Sequence, residues 1–133
     1  RNMVKLFSSY AWRSNLNTGI SFYFQTGRPI TPLTDGDFGA FPISPRGTLG
    51  RTDSIASVDV HASYNIRVLR SQQITLGMDV FNLFNLHGVT AVDGIAENYY
   101  DHPLQPIQDN RTFLDPIDNQ PPRSIRFLLR YSF

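Results

Sequence analysis

The sequence contains no cysteine, which rules out a disulfide framework, a thiolate metal site and a thiol nucleophile. Free thiols suit an oxidising compartment badly, so their absence is compatible with the cell envelope. Charge is scarce as well: 17% of residues are charged, where soluble domains average about 25%. Twelve Lys and Arg against eleven Asp and Glu leave a net charge of +1, without the basic excess expected of a nucleic-acid partner. Long apolar runs are also missing. Hydrophobic residues make up 41% of the chain, yet no stretch approaches the roughly 20 consecutive apolar residues of a membrane helix. The mean hydropathy is only -0.25. Residue 1 is Arg rather than Met and no leader pattern follows it, so the expectation is the end of a longer chain or a processed piece of one.

What the chain does have is alternation. Counting back in twos from Phe133 gives Tyr131, Leu129, Phe127 and Ile125 on one face, with Ser132, Arg130, Leu128, Arg126 and Ser124 on the other. Period two places successive side chains on opposite faces of a strand. The same two-faced pattern marks segments at about 3–12, 16–26, 55–68 and 73–82. Setting Trp12 against Leu16 across Arg13-Ser14-Asn15 pairs Tyr10 with Thr18, Ser8 with Ile20 and Leu6 with Phe22, so that both apolar faces coincide. Setting Ile66 against Ile74 pairs Tyr64 with Leu76, Ala62 with Met78, Val60 with Val80 and His61 with Asp79.

Between these segments lie two stretches of turn chemistry, about 27–54 and 86–122, rich in Gly, Pro, Asp and Asn. Connections therefore run short, long, short, long. A meander with its short turns at one end and long loops at the other, apolar on one strand face and polar on the other, has the form of an outer-membrane barrel. Five strands are fewer than the eight or so of the smallest single-chain membrane barrels. The fold class expected is all-β: five antiparallel meander strands forming the C-terminal part of a larger transmembrane β-barrel, with residues 1–133 as one barrel segment.

Three motifs carry a family resemblance. Gln25-Thr26-Gly27-Arg28-Pro29-Ile30-Thr31-Pro32 leaves its strand as the "SGxPyt" segment of TonB-dependent receptors does. Asp79-Val80-Phe81-Asn82-Leu83-Phe84-Asn85 resembles the "xxNLFN" segment closing a late barrel strand in that family. Arg123 to Phe133, ending on an aromatic, resembles their last strand, and Arg51-Thr52-Asp53 looks most like the Oar-like branch. The resemblance implies a Gram-negative outer-membrane location and a barrel of roughly 22 strands with a plugged lumen. It also implies ligand uptake powered through TonB, by way of an N-terminal plug that these residues do not include. Partners implied are outer-membrane lipid, an unknown ligand and the barrel-assembly machinery, which would read Phe127, Leu129, Tyr131 and Phe133.

Candidate site residues follow from placement. Asp59, His61, Asp79, Arg126 and Arg130 belong to the polar, lumen-facing set, with Arg67 alongside. His61, Ser63 and Asp79 have the residue types of a catalytic triad, but His61 and Ser63 are two apart on one face, about 6–7 Å, too far for a direct bond. No residue set indicates an enzyme. Phe38 and Phe41 in the first loop, and Tyr99, Tyr100 and His102 in the second, are candidates for ligand contact, since loop aromatics serve binding. The acids Asp93, Glu97, Asp101, Asp109, Asp115 and Asp118 lack the alternate-position ligands of a calcium loop, and neither a metal nor a cofactor is expected. Arg28, Arg46 and Arg51 are candidates for contact with anionic lipopolysaccharide or an anionic ligand, with ordinary solubilising charge as the default reading. Asn82 and Asn85 read as strand-end residues that bond their own backbone. Two other functions fit less of this pattern: a passive or structural outer-membrane barrel, and a soluble carbohydrate-binding β-sandwich.

Overall fold

The computed structural model describes residues 2–13, 15–36, 39–69, 72–98 and 108–133. Its strands, in chain order, are β1 (Met3–Ala11), β2 (Leu16–Gln25), β3 (Leu33–Gly36), β4 (Gly39–Pro42), β5 (Ile55–Leu69), β6 (Gln72–Phe81), β7 (Val89–Val92), β8 (Ile95–Asn98), β9 (Gln108–Asp109), β10 (Pro116–Asn119) and β11 (Ser124–Ser132). No helix occurs among the described residues. The chain sorts into two compact units, one of residues 2–25, 55–87 and 121–133, the other of 26–54 and 88–120.

The first unit is a single antiparallel sheet of five strands in the order β1-β2-β5-β6-β11, with β1 and β11 as its edges. The expected registers are the observed ones: Leu6 faces Phe22, Ser8 faces Ile20 and Tyr10 faces Thr18. Farther along the sheet Val60 faces Val80, His61 faces Asp79 and Ile66 faces Ile74. A slip by one residue would turn every apolar side chain to the polar face, so the pattern admits this register only. The first turn closes through the Trp12 amide, which donates to the Leu16 carbonyl at 2.8 Å. Asn15 takes a left-handed φ of 61°, the position that ends a three-residue hairpin loop and that Asn tolerates. At the second hairpin a bulge lies between Arg67 and Leu69 before Leu69 pairs with Gln72.

Registers chain into rows that cross the whole sheet. Ser8, Ile20, Val60, Val80 and Ile125 form one row, and Tyr10, Thr18, Ala62, Met78 and Phe127 the next. These side chains share a face, and that face is uncovered: Phe127 is 76% exposed and Leu129 73%. Among the described residues no hydrophobic side chain is buried. The sheet is held by its backbone ladders and by its polar face, without a core.

The second unit departs from the expected open loops. It contains a four-stranded sheet, β4-β3-β8-β9, in which β3 and β8 run parallel, and the pair β10-β7. Four-residue strands that pair across some 60 positions, such as Leu33 with Ile95, leave too short a run for period two to register. Gly27 shows what the first stretch requires. A Cβ there would lie 1.9 Å from the Thr52 carbonyl oxygen, so only glycine lets the Arg51–Asp53 backbone approach. The Thr52 amide donates to the Arg28 carbonyl at 2.9 Å, and the Arg28 amide to the Thr52 hydroxyl at 2.9 Å. Gly27→Ala is expected to force this crossing apart at a cost of about 2 kcal/mol or more. Limited proteolysis should then cut between residues 27 and 54 faster than in the parent protein, with the five-stranded sheet intact.

Candidate functional site

One row of the polar face of the five-stranded sheet joins its charged groups side by side. Ser9, Gly19, His61, Asp79 and Arg126 stand opposite one another on five successive strands. His61 Nδ1 is hydrogen-bonded to Asp79 Oδ1. On the other side, Arg126 donates from Nε and Nη2 to Asp79 Oδ2, at 2.9 and 2.7 Å, and its guanidinium lies 5.3 Å from the Phe81 ring centroid. Asp79 is buried by these neighbours. An ionised carboxylate only accepts, so the hydrogen between it and the imidazole belongs to His61 Nδ1.

Asp59 is satisfied differently. It accepts from Ser57 Oγ at 2.7 Å, from Ser21 Oγ at 3.3 Å and from the Asn82 backbone amide at 2.9 Å. No arginine pairs with it among the described residues. Register decides this: Arg126 stands opposite Asp79, whereas Arg130 stands opposite Thr75 and Arg67 opposite Gln73. Phe7 and Phe81 flank a depression of about 360 Å³ on this face, with Ser9, Gly19 and Ser21 along its lining and Asp59, His61 and Asp79 contributing charge. Ser63 stands opposite Gly77, and among the described residues His61 has Asp79 as its side-chain partner. His61 and Asp79 have the types of a base and its orienting acid, and among the described residues no hydroxyl is bonded to the imidazole.

At the end of β6 the Asn pair does more than bond its own neighbourhood. Asn82 and Asn85 both adopt left-handed φ angles, 50° and 51°. Buried Asn82 donates from Nδ2 to the Leu86 and Pro121 carbonyls, both at 2.9 Å, and accepts from the Leu86 amide at 2.9 Å. Asn85 accepts from the Arg123 amide at 2.9 Å. The motif ties the end of β6 to the start of β11, a link that sequence separation hides.

In the second unit the organising acid is Asp93. The Ile95 amide donates to it at 3.0 Å, Thr112 Oγ1 at 2.8 Å and Asn110 Nδ2 at 2.8 Å. These donors hold its carboxyl below the ordinary value, the Ile95 amide most, then Thr112 and Asn110, against a smaller opposing effect of burial. No group of acids and histidines among the described residues is arranged to hold a metal. Phe41, on β4, is exposed; the other loop aromatics singled out, Phe38, Tyr99, Tyr100 and His102, lie outside the described residues. On the last strand Phe127, Leu129, Tyr131 and Phe133 are all exposed, and the Tyr131 and Phe133 ring centroids are 6.0 Å apart.

With this geometry in place, comparison with known proteins adds one relative. The chain is similar to the TonB-dependent transporter Oar of Myxococcus xanthus. Identity is 30% over 156 aligned positions, which take in 88% of this chain but 14% of the length of that protein. The similarity supports a relationship to TonB-dependent receptors. No family model matches the chain, and no solved structure matches it.

Two measurements follow. Asn82→Ala leaves two carbonyls and an amide without their side-chain partner, and is expected to cost about 2–3 kcal/mol. Arg126→Gln, which breaks an ion pair at a side chain 67% exposed, should cost less than about 1 kcal/mol; denaturant titration of the two variants ranks them. A carboxyl held low in the folded state contributes stability fully above its unfolded value of 3.8 and loses it as pH falls through the folded value. Hydrogen exchange of residues 108–120, corrected for intrinsic rates, should therefore lose protection below about pH 4, and Asp93→Asn should show the weakened protection at neutral pH as well.

Proposed function

We propose that this chain is the C-terminal, five-stranded part of an outer-membrane β-barrel of the TonB-dependent receptor type in a Gram-negative envelope. Its polar face lines the lumen and its loop unit contributes to ligand capture. The observation that carries the reading is the uncovered apolar face backed by a hydrogen-bonded polar one. A soluble sandwich needs a second layer over that face, and no hydrophobic residue among those described is buried.

The layout of the face supports lipid as its solvent. From Ala56 to Ile66 the apolar positions of β5 extend for about 33 Å, which at a tilt of 35–45° is about 25 Å of height, the thickness of a barrel's lipid-facing band. On the apolar face Tyr10 and Phe127 share a row near the middle of the band, while Phe22 and Phe24 lie toward one end and Trp12, Tyr64, Tyr131 and Phe133 toward the other. Such girdles sit at the two interfaces. Under this reading Phe127, Leu129, Tyr131 and Phe133 form the strand that the barrel-assembly machinery reads. The lumen wall carries Asp59, His61, Asp79, Arg126 and Arg130, and Phe38, Phe41, Tyr99, Tyr100 and His102 are the loop aromatics available to a ligand. The relationship to a TonB-dependent transporter favours energised uptake over a passive or structural barrel, which would share the same wall.

Depth gives the test. In the intact protein Ile20→Arg, close to the middle of the band, should cost about 2–4 kcal/mol and block insertion into lipid vesicles, with a smaller effect for Leu76→Arg nearer the girdle. Thr75→Arg, on the polar face, should insert normally. Refolding of the Ile20→Arg protein in plain buffer, without detergent or lipid, would overturn the membrane reading.

A further inference from the structure

The second unit brings three arginines to one place. Arg28, Arg46 and Arg51 line, with Pro29, a single concavity of about 520 Å³. Their backbones are pinned: Pro29 and Arg51 form a β-bridge, and Arg28 and Thr52 exchange hydrogen bonds. The turn after Arg46 is closed by the Gly50 amide on the Gly47 carbonyl at 3.0 Å, and fixed by the Gly47 amide on Thr31 Oγ1 at 3.0 Å. Arg51 Nη1 donates to the Gly27 carbonyl at 2.9 Å, which holds one guanidinium in place and leaves most of its five donors unused. Among the described residues no carboxylate pairs with any of the three; the ion pairs lie elsewhere, on Asp79. Asp53, two residues after Arg51, accepts at Oδ2 from the Val89 amide at 2.9 Å.

Three like charges gathered on a bonded frame repel one another unless an anion joins them. Guanidinium groups are matched to oxyanions in particular, since their planar donor fork meets phosphate or carboxylate oxygens in pairs. The cost of ordering such a site has been met in the fold of the turn, which leaves binding with little to immobilise beyond the side chains. We infer that Arg28, Arg46 and Arg51 form an anion-binding subsite for a phosphate or phosphate-like oxyanion, presented either by a soluble ligand or by a lipid headgroup. The inference rests on the ligand-capture reading above and assigns it a chemistry.

The test uses the intact protein in nanodiscs of phosphatidylcholine, titrated with inorganic phosphate by calorimetry at low ionic strength. The parent protein should bind phosphate, and Arg28→Gln/Arg46→Gln should bind it at least about tenfold more weakly. Among the described residues these two side chains make no bond that holds the loop, so Arg51 and its link to Gly27 stay in place; unchanged proteolysis of residues 27–54 verifies that. Added salt should weaken binding in the parent protein. Phosphatidic acid in the disc that competes with free phosphate assigns the subsite to a lipid headgroup, and failure to compete assigns it to a soluble ligand. Absence of phosphate binding, or equal binding by the double variant, overturns the inference. Incorporation into the disc is scored separately, so a failed barrel reading and a failed subsite give different results.

Discussion

Everything in the five-stranded sheet follows from one constraint: an in-register antiparallel ladder forces all partners in a row onto the same face. Because Ser8, Ile20, Val60, Val80 and Ile125 are one row, and Ser9, Gly19, His61, Asp79 and Arg126 the adjacent one, the same register that assembles an apolar wall also assembles the charged triad behind it. Neither could be moved alone. A shift that broke the Asp79–Arg126 pair would turn Leu129 and Phe127 inward with it. Register is thus specified twice, by hydrophobic pattern and by charge.

A sheet of this kind has no core to stabilise it. In a soluble fold the apolar rows would be the largest favourable contribution, at about 25 cal/mol for each Å² removed from water. Here that contribution has to come from whatever covers the face, which under the proposal above is lipid. What the chain provides for itself is directional: ladders, the Asp59 and Asp79 networks, and the Asn82 clamp. Such bonds fix geometry at a modest net gain of about 1 kcal/mol each.

How much of this could be read beforehand depended on whether a feature repeats with the strand period. The five strands, the hairpin registers and the His61–Asp79 pairing were legible because alternation runs over nine or more residues in each strand. The second unit was not. Its strands are four residues or fewer, and it is organised by single side chains reaching backbone, as Asp93 reaches Ile95. A carboxylate that caps a local turn looks in sequence like any solvated acid. Gly27 is an intermediate case: its motif was visible, but its reason, the Thr52 carbonyl 1.9 Å from a would-be Cβ, involves a segment far along the chain. Asn82 was legible as a strand terminator, yet its bond to Pro121 needed the fold.

The charged clusters of the two units differ in how far their groups are already satisfied. On the sheet, each acid is saturated: Asp79 by an imidazole and a guanidinium, Asp59 by two hydroxyls and an amide. A solute meeting that surface would have to break existing bonds to make new ones, so the triad suits a permanent lining. In the loop unit the arginines are brought together by backbone bonds that consume almost none of their side-chain donors, and Asp53 spends one carboxylate oxygen on the Val89 amide. Unspent donors on a fixed frame have more to gain from an incoming oxyanion than satisfied ones. For the subsite proposed above, substitutions in the 27–54 segment should alter oxyanion binding while leaving the sheet's register alone.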